Sequence, residues 1–497
     1  MTLTHAEYKT IANNIRPNGQ AFINGKFCDA ADGAKFETTN PATGQILANV
    51  AHCKSADVDR AVAAARRVFN AGTWSRAEPE ERKEVLLKVA ALVRENAHEL
   101  AVLESLDTGK TINDCMDEIG GEVVNFFQWY AELADKSFGK IAPTGPSALA
   151  MIVKEPAGVA GAVLPWNFPL VMAAWKIAPS LAVGCSAVIK PAEQTPLSTI
   201  RLAELMQQAG VPDGVINILP GYGETAGKAI GMHNDIYTVS FTGSTEVGRM
   251  FMRYSGDSNL KGVGLEMGGK SPFIVLEDAI LDDELIEHAA MSAFWNGGQN
   301  CSANMRQLIA APLVDEFTGR IIDQVKSFKL GDPLDPSTDI GSMITKDHKE
   351  MVMSYIQSGL ADGAGMLIGG DSDFPGHFIK PTVFENVTPE MKIAQEEIFG
   401  PVLGIMPVKN ADEALKIASD TDYGLHATVF TQNIDQALHM ARSLPCGTVS
   451  VNGFSEGDIK TPFGGYKQSG SLARDNGTEA IEQYLQTKTI WVQTKNT

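Results

Sequence analysis

Two segments carry side chains from which chemistry can be built. The stretch Gly297-Gly298-Gln299-Asn300-Cys301-Ser302 puts a lone cysteine in a polar, glycine-rich loop, where nothing nearby calls for a small buried hydrophobe. The run before it, Ile286 to Trp295, is helical in pattern, and a thiol beside a helix terminus can be held partly as thiolate, its reactive form. Upstream, Glu266 ends the apolar strand-like run Gly262-Val263-Gly264-Leu265 and is followed by Gly268-Gly269-Lys270. A carboxylate on such a rigid edge, facing a crevice, suits a general base. Together the two read as nucleophile plus base.

These groups need a scaffold to hold them. From about Val159, short apolar β-branched runs alternate with helical stretches, the signature of parallel βαβ units. Strands are expected over Val159–Leu164, Ser186–Lys190, Val215–Leu219 and Ile236–Phe241, with helices over Leu170–Val183 and Ser198–Ala209. Before them, Val58–Asn70 and Glu80–Ser105 carry charged faces opposite Ala/Leu/Val faces and are expected to be helices. A second alternating series runs from the strand at Pro272-Phe273-Ile274-Val275-Leu276 to that at Thr448-Val449-Ser450-Val451. The expected fold is therefore α/β, with two domains and Glu266 at their junction, where ligand pockets often form. Two extended segments, Leu149–Glu155 and Thr489–Gln493, have no obvious place in either wound sheet.

A glycine search first finds Gly221-Tyr222-Gly223-Glu224-Thr225-Ala226-Gly227, one residue too long for the usual dinucleotide fingerprint. A tight strand-to-helix turn explains it equally well, so Gly223 is the weaker candidate. Phe241-Thr242-Gly243-Ser244-Thr245 is the better phosphate loop. Gly243 would let the backbone approach closely, and the free N–H groups of the helix starting near Ser244 would face a pyrophosphate. Ser244 serves either as helix cap alone or as cap and phosphate contact. Lys190 and Glu193 follow a strand end, where a Rossmann-like unit places the acid that takes a ribose hydroxyl. A solvated surface pair is the alternative.

The chain has 497 residues, so two or more domains are expected. A formal charge of −19 argues against nucleic acid or an anionic membrane as partner. Six scattered cysteines without a C-x-x-C pair speak against a disulfide framework or zinc site and fit a reducing, cytoplasmic setting. No run has the roughly 18 apolar residues of a membrane span. Met1 to Gly19 is polar, lacks a signal-peptide pattern, and is expected to be a surface arm. Neither H-E-x-x-H nor a His/Cys cluster is present to suggest a catalytic metal.

The nucleophile and base segments stand in order with Val163-Leu164-Pro165-Trp166-Asn167-Phe168-Pro169, Ile189-Lys190-Pro191-Ala192-Glu193, Phe241-Thr242-Gly243-Ser244-Thr245, Glu396-Glu397-Ile398-Phe399-Gly400-Pro401-Val402 and Pro462-Phe463-Gly464-Gly465-Tyr466-Lys467-Gln468-Ser469-Gly470. This ordered set closely resembles the NAD(P)-dependent aldehyde dehydrogenase superfamily, over nearly the whole chain. The resemblance implies a Rossmann-like NAD-binding domain over 1–136 and 157–266, a catalytic domain over 267–470, and a small β arm over 137–156 and 480–497. In the family such an arm pairs across subunits, implying a homodimer or homotetramer; an edge hairpin within one chain is the other reading.

It also implies roles. Pro165, Trp166, Asn167, Lys190, Glu193, Gly243, Ser244, Glu397 and Phe399 would hold NAD. Glu193 would disfavour the 2′-phosphate of NADP, with Lys190 softening that preference. Attack by the Cys301 thiolate on an aldehyde would give a thiohemiacetal oxyanion, stabilised by the Asn167 amide and the Cys301 backbone N–H; after hydride loss, Glu266 would activate water to hydrolyse the thioester. Asn167 is otherwise a turn residue. Phe168, Met172, Trp175 and Phe463 would line a substrate tunnel. The run from Phe454 to Gly470 looks like bacterial γ-glutamyl-γ-aminobutyraldehyde and 4-guanidinobutyraldehyde dehydrogenases, so an ω-amino or guanidino aldehyde of polyamine or arginine catabolism is expected. Glu456 and Asp458 would compensate its charge, unless they are simply a solvated loop. A general aliphatic or betaine aldehyde, CoA in place of water, and a non-catalytic binding relative are the competing readings.

Overall fold

The computed structural model describes residues 3–494. Its first seven-stranded sheet runs, in spatial order, Gly262–Met267, Thr238–Gly243, Val159–Val163, Ser186–Lys190, Ile216–Ile218, Ala21–Ile23 and Lys26–Cys28. The first five are mutually parallel and the last two form an antiparallel hairpin at the edge. Val159–Val163 and Ser186–Lys190 are buried at every position. That burial explains why they read as continuous apolar runs rather than alternating ones, since helices cover both faces of a parallel sheet. The helix Pro169–Ala182 is buried along its whole length and starts with proline at its first turn, where the missing N–H costs nothing.

The second seven-stranded sheet runs Gly365–Asp371, Ile379–Glu385, Val402–Val408, Arg306–Ala310, Pro272–Val275, His426–Phe430 and Thr448–Val451, antiparallel only at its first pair. The chain leaves the first sheet at Met267 and enters the second at Pro272, so Glu266 stands where the two meet. The tail returns to this junction: the Met267 N–H donates to the Ser469 carbonyl at 2.8 Å, and the Ser471 N–H to that of Leu265 at 3.1 Å. The two unplaced segments find each other. Ala148–Pro156 pairs antiparallel with Leu485–Gln493, with Lys140–Ala142 on the other side, giving a three-stranded sheet inside one chain. Residues 1–2 and 495–497 of the anticipated domains lie outside the described residues.

Two local expectations are corrected, and one feature is new. The N-terminal segment is not a mere surface arm: His5–Asn14 is a helix with a Thr4/Glu7 capping box, anchored by Tyr8, which is fully buried. The single helix expected over Glu80–Ser105 is two, Pro79–Glu95 and Ala97–Thr108. Asn96 breaks it by turning its side-chain amide back onto the Leu92 carbonyl at 2.7 Å. Between Ile112–Asp117 and Val124–Leu133, six residues, Glu118–Val123, form a π-helical turn that no sequence periodicity announced.

Candidate active site

At the junction of the sheets lies a cavity of about 480 Å³, lined mostly by apolar atoms. Cys301, half-buried, opens into it beside Glu266 and Asn167. The thiol does not sit at a helix N-terminus. The preceding helix, Asp283–Phe294, runs toward it and presents carbonyl rather than N–H ends. Burial, then the carboxylates of Glu456, Glu266 and Glu397, holds the thiol well above its ordinary range. The expectation of a partial thiolate at rest is therefore corrected: the resting group is the protonated thiol.

The loop around it is tightly tied. Asn296 and Gly297 take left-handed φ values of 51° and 60°, and Asn296 donates from Nδ2 to the Asn167 carbonyl at 3.2 Å. Asn167, almost fully buried, gives one Nδ2 hydrogen to the Gln299 carbonyl at 2.9 Å, which leaves its second hydrogen for a ligand. Glu266 is 3% exposed, and its Oε1 has no partner among the described residues. Its carboxyl is pushed well above the usual range by burial and then by Asp475, with Lys176 and Arg474 opposing. Lys176 and Asp475 form a buried ion pair behind it.

One end of the cavity is built from strand ends of the first sheet. Pro165, Trp166, Lys190, Glu193, Gly223, Gly243 and Ser244 all line it, so the weaker glycine loop reaches the same cleft as the better one. Ser244 caps the helix Thr245–Gly256, accepting from the Val247 N–H at 3.3 Å. A Cβ on Gly243 would lie 2.7 Å from the Phe241 ring, whereas one on Gly223 would meet open space. The buried Thr242 hydroxyl in the same wall has no partner among the described residues. Lys190 Nζ meets Glu193 Oε2 at 3.0 Å, and burial lowers the lysine pKa. From the second sheet come Glu397 and Phe399. Glu397, pushed up to about 7 by burial, accepts from the Gly269 N–H at 3.1 Å. Phe399 takes a left-handed φ of 56° and packs edge-on to Trp166. A flat apolar slot, a helix N-terminus, an orphan hydroxyl and a Lys/Glu pair at a strand end fit a dinucleotide.

The other end is aromatic. Phe168, Met172, Trp175 and Phe463 line it, with the Trp175 and Phe463 rings 5.2 Å apart. Beneath Phe168, the Lys110 ammonium sits 3.8 Å from the ring centre, bonded to Glu118. Glu456 is not a fully solvated loop residue: its half-buried carboxylate accepts from Asn300 Nδ2 at 2.7 Å and from the Ser302 hydroxyl. Burial raises its pKa. Asp458, two residues on, is not brought into the cavity. It faces solvent 3.3 Å from Lys460, so its expected place at the tunnel is corrected. Sequence reasoning missed Glu122, which stands exposed at the rim of the same end; the atoms packed around its carboxyl push it up to about 7, with Glu456 adding to the shift. The one signal was an acid beside Gly120-Gly121 in an otherwise apolar run. It also missed Trp295, and His348, whose Nε2 lies 2.7 Å from the Phe399 carbonyl.

A two-sheet α/β enzyme with a half-buried thiol and a buried carboxylate facing a dinucleotide-shaped cleft is the class that this architecture defines. The sequence pattern of the aldehyde dehydrogenase family matches residues 27–490, and the chain belongs to that family. It is 47% identical over 490 residues to the aminoacetaldehyde dehydrogenase of Pseudomonas aeruginosa, with 99% of each chain covered. A mutant of the P. syringae indole-3-acetaldehyde dehydrogenase AldA, solved with NAD+ and IAA, superposes with a TM-score of 0.97 at 43% identity, covering 99% of this chain and all of that one. The γ-glutamyl-γ-aminobutyraldehyde dehydrogenase of Burkholderia cenocepacia J2315 gives 0.96 at 43%, with the same coverage.

Proposed function

We propose that this chain is an NAD-dependent dehydrogenase that oxidises a cationic ω-amino or guanidino aldehyde to its carboxylate. The observation that carries the reading is the convergence of Glu122 and Glu456 on an aromatic cavity beside Cys301. An apolar stem suits Phe168, Trp175 and Phe463, and aromatic faces attract a cation by roughly 0.5–2 kcal/mol. The two carboxylates add charge-assisted hydrogen bonds, Glu122 from the exposed rim and Glu456 from a half-buried place beside the nucleophile. The P. aeruginosa relative is named an aminoacetaldehyde dehydrogenase, which supports the same class.

Cys301 attacks the carbonyl carbon after its proton leaves, Glu266 being the buried group placed to take it. The free Nδ2 hydrogen of Asn167 and the Cys301 N–H meet the oxyanion; losing one such donor typically costs roughly 3 kcal/mol of barrier. NAD, when bound, supplies the hydride acceptor, held by the Lys190/Glu193 pair, the Ser244 helix N-terminus, Glu397 and Phe399. Glu266, having passed its first proton to solvent, then draws a proton from water as that water attacks the thioester, and returns it to the departing sulfur, releasing the acid and the thiol. The cleft's Glu193 favours NAD over NADP. The exposed Ile141, Ile490, Trp491 and Val492 on the three-stranded sheet support pairing with a second copy in a homodimer or homotetramer.

A panel of purified aldehydes tests the substrate. Aminoacetaldehyde, 3-aminopropanal, 4-aminobutyraldehyde and 4-guanidinobutyraldehyde are expected to exceed neutral aldehydes of equal length in kcat/KM, mainly through KM. A preference for neutral or indolic aldehydes would overturn the reading, and a rate that depends on added CoA would move the chain to thioester transfer.

A further inference from the structure

Glu456 touches both neighbours of the nucleophile. Its Oε1 alone accepts both bonds, from Asn300 Nδ2 and from the Ser302 hydroxyl, so this one oxygen ties the side chains on either side of Cys301. Its Oε2 accepts no hydrogen bond among the described residues, and the side chain lines the cavity on the same wall as Glu122. A carboxylate with one oxygen fastened to the catalytic loop and the other turned to a substrate cavity is placed to report what enters that cavity.

We propose that Glu456 couples substrate charge to the nucleophile: an ammonium or guanidinium seated between Glu122 and Glu456 lifts the negative field at Cys301, so the thiol ionises more readily when a cationic substrate is in place. The inference rests on the proposed substrate class and adds an activating step to it. The groups facing Cys301 are all acidic, Glu456 ahead of Glu266 and Glu397. Those facing Glu122 are Glu456, Lys110 and Asp117. Lys110 is already committed to Glu118, so an arriving cation is what can neutralise the Glu122/Glu456 end. Pinning by Oε1 matters as much as charge, because it fixes the thiol relative to the Asn167 amide while the field changes. The ionising proton passes to Glu266 or to water, and no other bond is made or broken.

The test follows alkylation of Cys301 by iodoacetamide, in which the sulfur displaces iodide, against pH in the full-length enzyme. The Cys301 peptide is read by mass spectrometry so that the other cysteines do not contribute. Propylammonium is the probe and 1-propanol the neutral control of the same bulk. Propylammonium is expected to move the midpoint of the rate down by about one pH unit, the order produced by a charge a few ångströms away, a tenfold gain in thiolate below the midpoint. Propanol leaves it in place. In Glu456→Gln the midpoint starts lower and no longer responds; Glu456→Asp, which keeps the charge, still responds. If propylammonium inhibits aldehyde oxidation competitively yet leaves the midpoint unmoved, the coupling is wrong while the substrate class stands. If propylammonium neither competes nor shifts the midpoint, and neutral aldehydes are preferred, both fall.

Discussion

The two ends of the cavity are built on different principles. The cofactor end is assembled from strand termini and a helix N-terminus, and its one buried cation, Lys190, already holds its own acid, Glu193, at 3.0 Å. The substrate end is assembled from helix faces and loops, and its acids Glu122 and Glu456 are faced by one cation, Lys110, which is already bonded to Glu118. A balanced site accepts a ligand whose charge is met by backbone N–H groups and hydroxyls. An unbalanced one stores a desolvation cost that a cationic ligand relieves. The lesson is that the two ends select by different terms, geometry at one and charge at the other, and substitutions can separate them.

The largest effect is expected where both ends meet. Cys301→Ala should lower turnover by about 10⁴-fold or more, as loss of a covalent nucleophile does elsewhere, while a fluorescence titration with NAD shows affinity within about twofold. Near-normal turnover would break the comparison at its root, since the thiol would then belong to neither end. Glu266→Gln should cost about 10²–10³-fold in steady state, the usual range for a general base, yet keep a stoichiometric first burst of NADH in stopped flow. The direction with pH follows from the raised carboxyl: protonated at low pH, Glu266 cannot accept a proton, so wild-type turnover rises with pH through the folded pKa. A profile flat where Glu266 titrates would remove it as the base.

How much of this was written in the sequence also divides along the two ends. The cofactor end was legible because its parts are local: Gly243-Ser244 and Lys190-Pro191-Ala192-Glu193 each sit within one strand end, and all line one wall. The strands Ser186–Lys190 and Thr448–Val451 were anticipated residue for residue, because short β-branched runs bounded by glycine or proline leave few options. The substrate end joins residues 122, 300–302 and 456, far apart in the chain, and no spacing rule connects them. Glu122 was invisible because a π-helical turn resets the helical phase just there. Cys301 was placed rightly in a loop, but its electrostatics were not legible there, since burial raises its pKa first and the acids that add to it come from three other segments.

Charge selection predicts a middle-sized effect. Glu122→Gln should raise KM for an ω-amino aldehyde by about tenfold, as for loss of one charge-assisted contact, while leaving a neutral aldehyde of equal length within twofold. An equal loss for both substrates would make Glu122 a packing residue. Glu193→Gln probes the other end. It should narrow the ratio of kcat/KM for NAD over NADP by roughly threefold to tenfold, since an acid at this place disfavours the 2′-phosphate. A wild-type preference for NADP, or an unchanged ratio, would remove Glu193 from cofactor choice.

The smallest effect belongs to Asp458, and it sharpens the comparison because charge alone would have put this residue beside Glu456. The two carboxylates are two residues apart in one loop, yet Glu456 turns inward onto Asn300 and Ser302 while Asp458 turns outward, accepts from the Lys460 N–H at 3.0 Å and lies 3.3 Å from its ammonium. The bond from the Lys460 backbone is the main reason that its pKa is lowered, and solvent screens its charge from the cavity. An exposed pair of this kind contributes about 0–1 kcal/mol, and none of that reaches a substrate the side chain does not touch. Asp458→Asn should therefore leave kcat/KM for amino and neutral aldehydes within about twofold of wild type, and their ratio unmoved. Narrowing of that ratio on the scale of Glu122→Gln, measured in the same assay at two ionic strengths, would mean that long-range field from the rim, rather than contact inside the cavity, selects the cation.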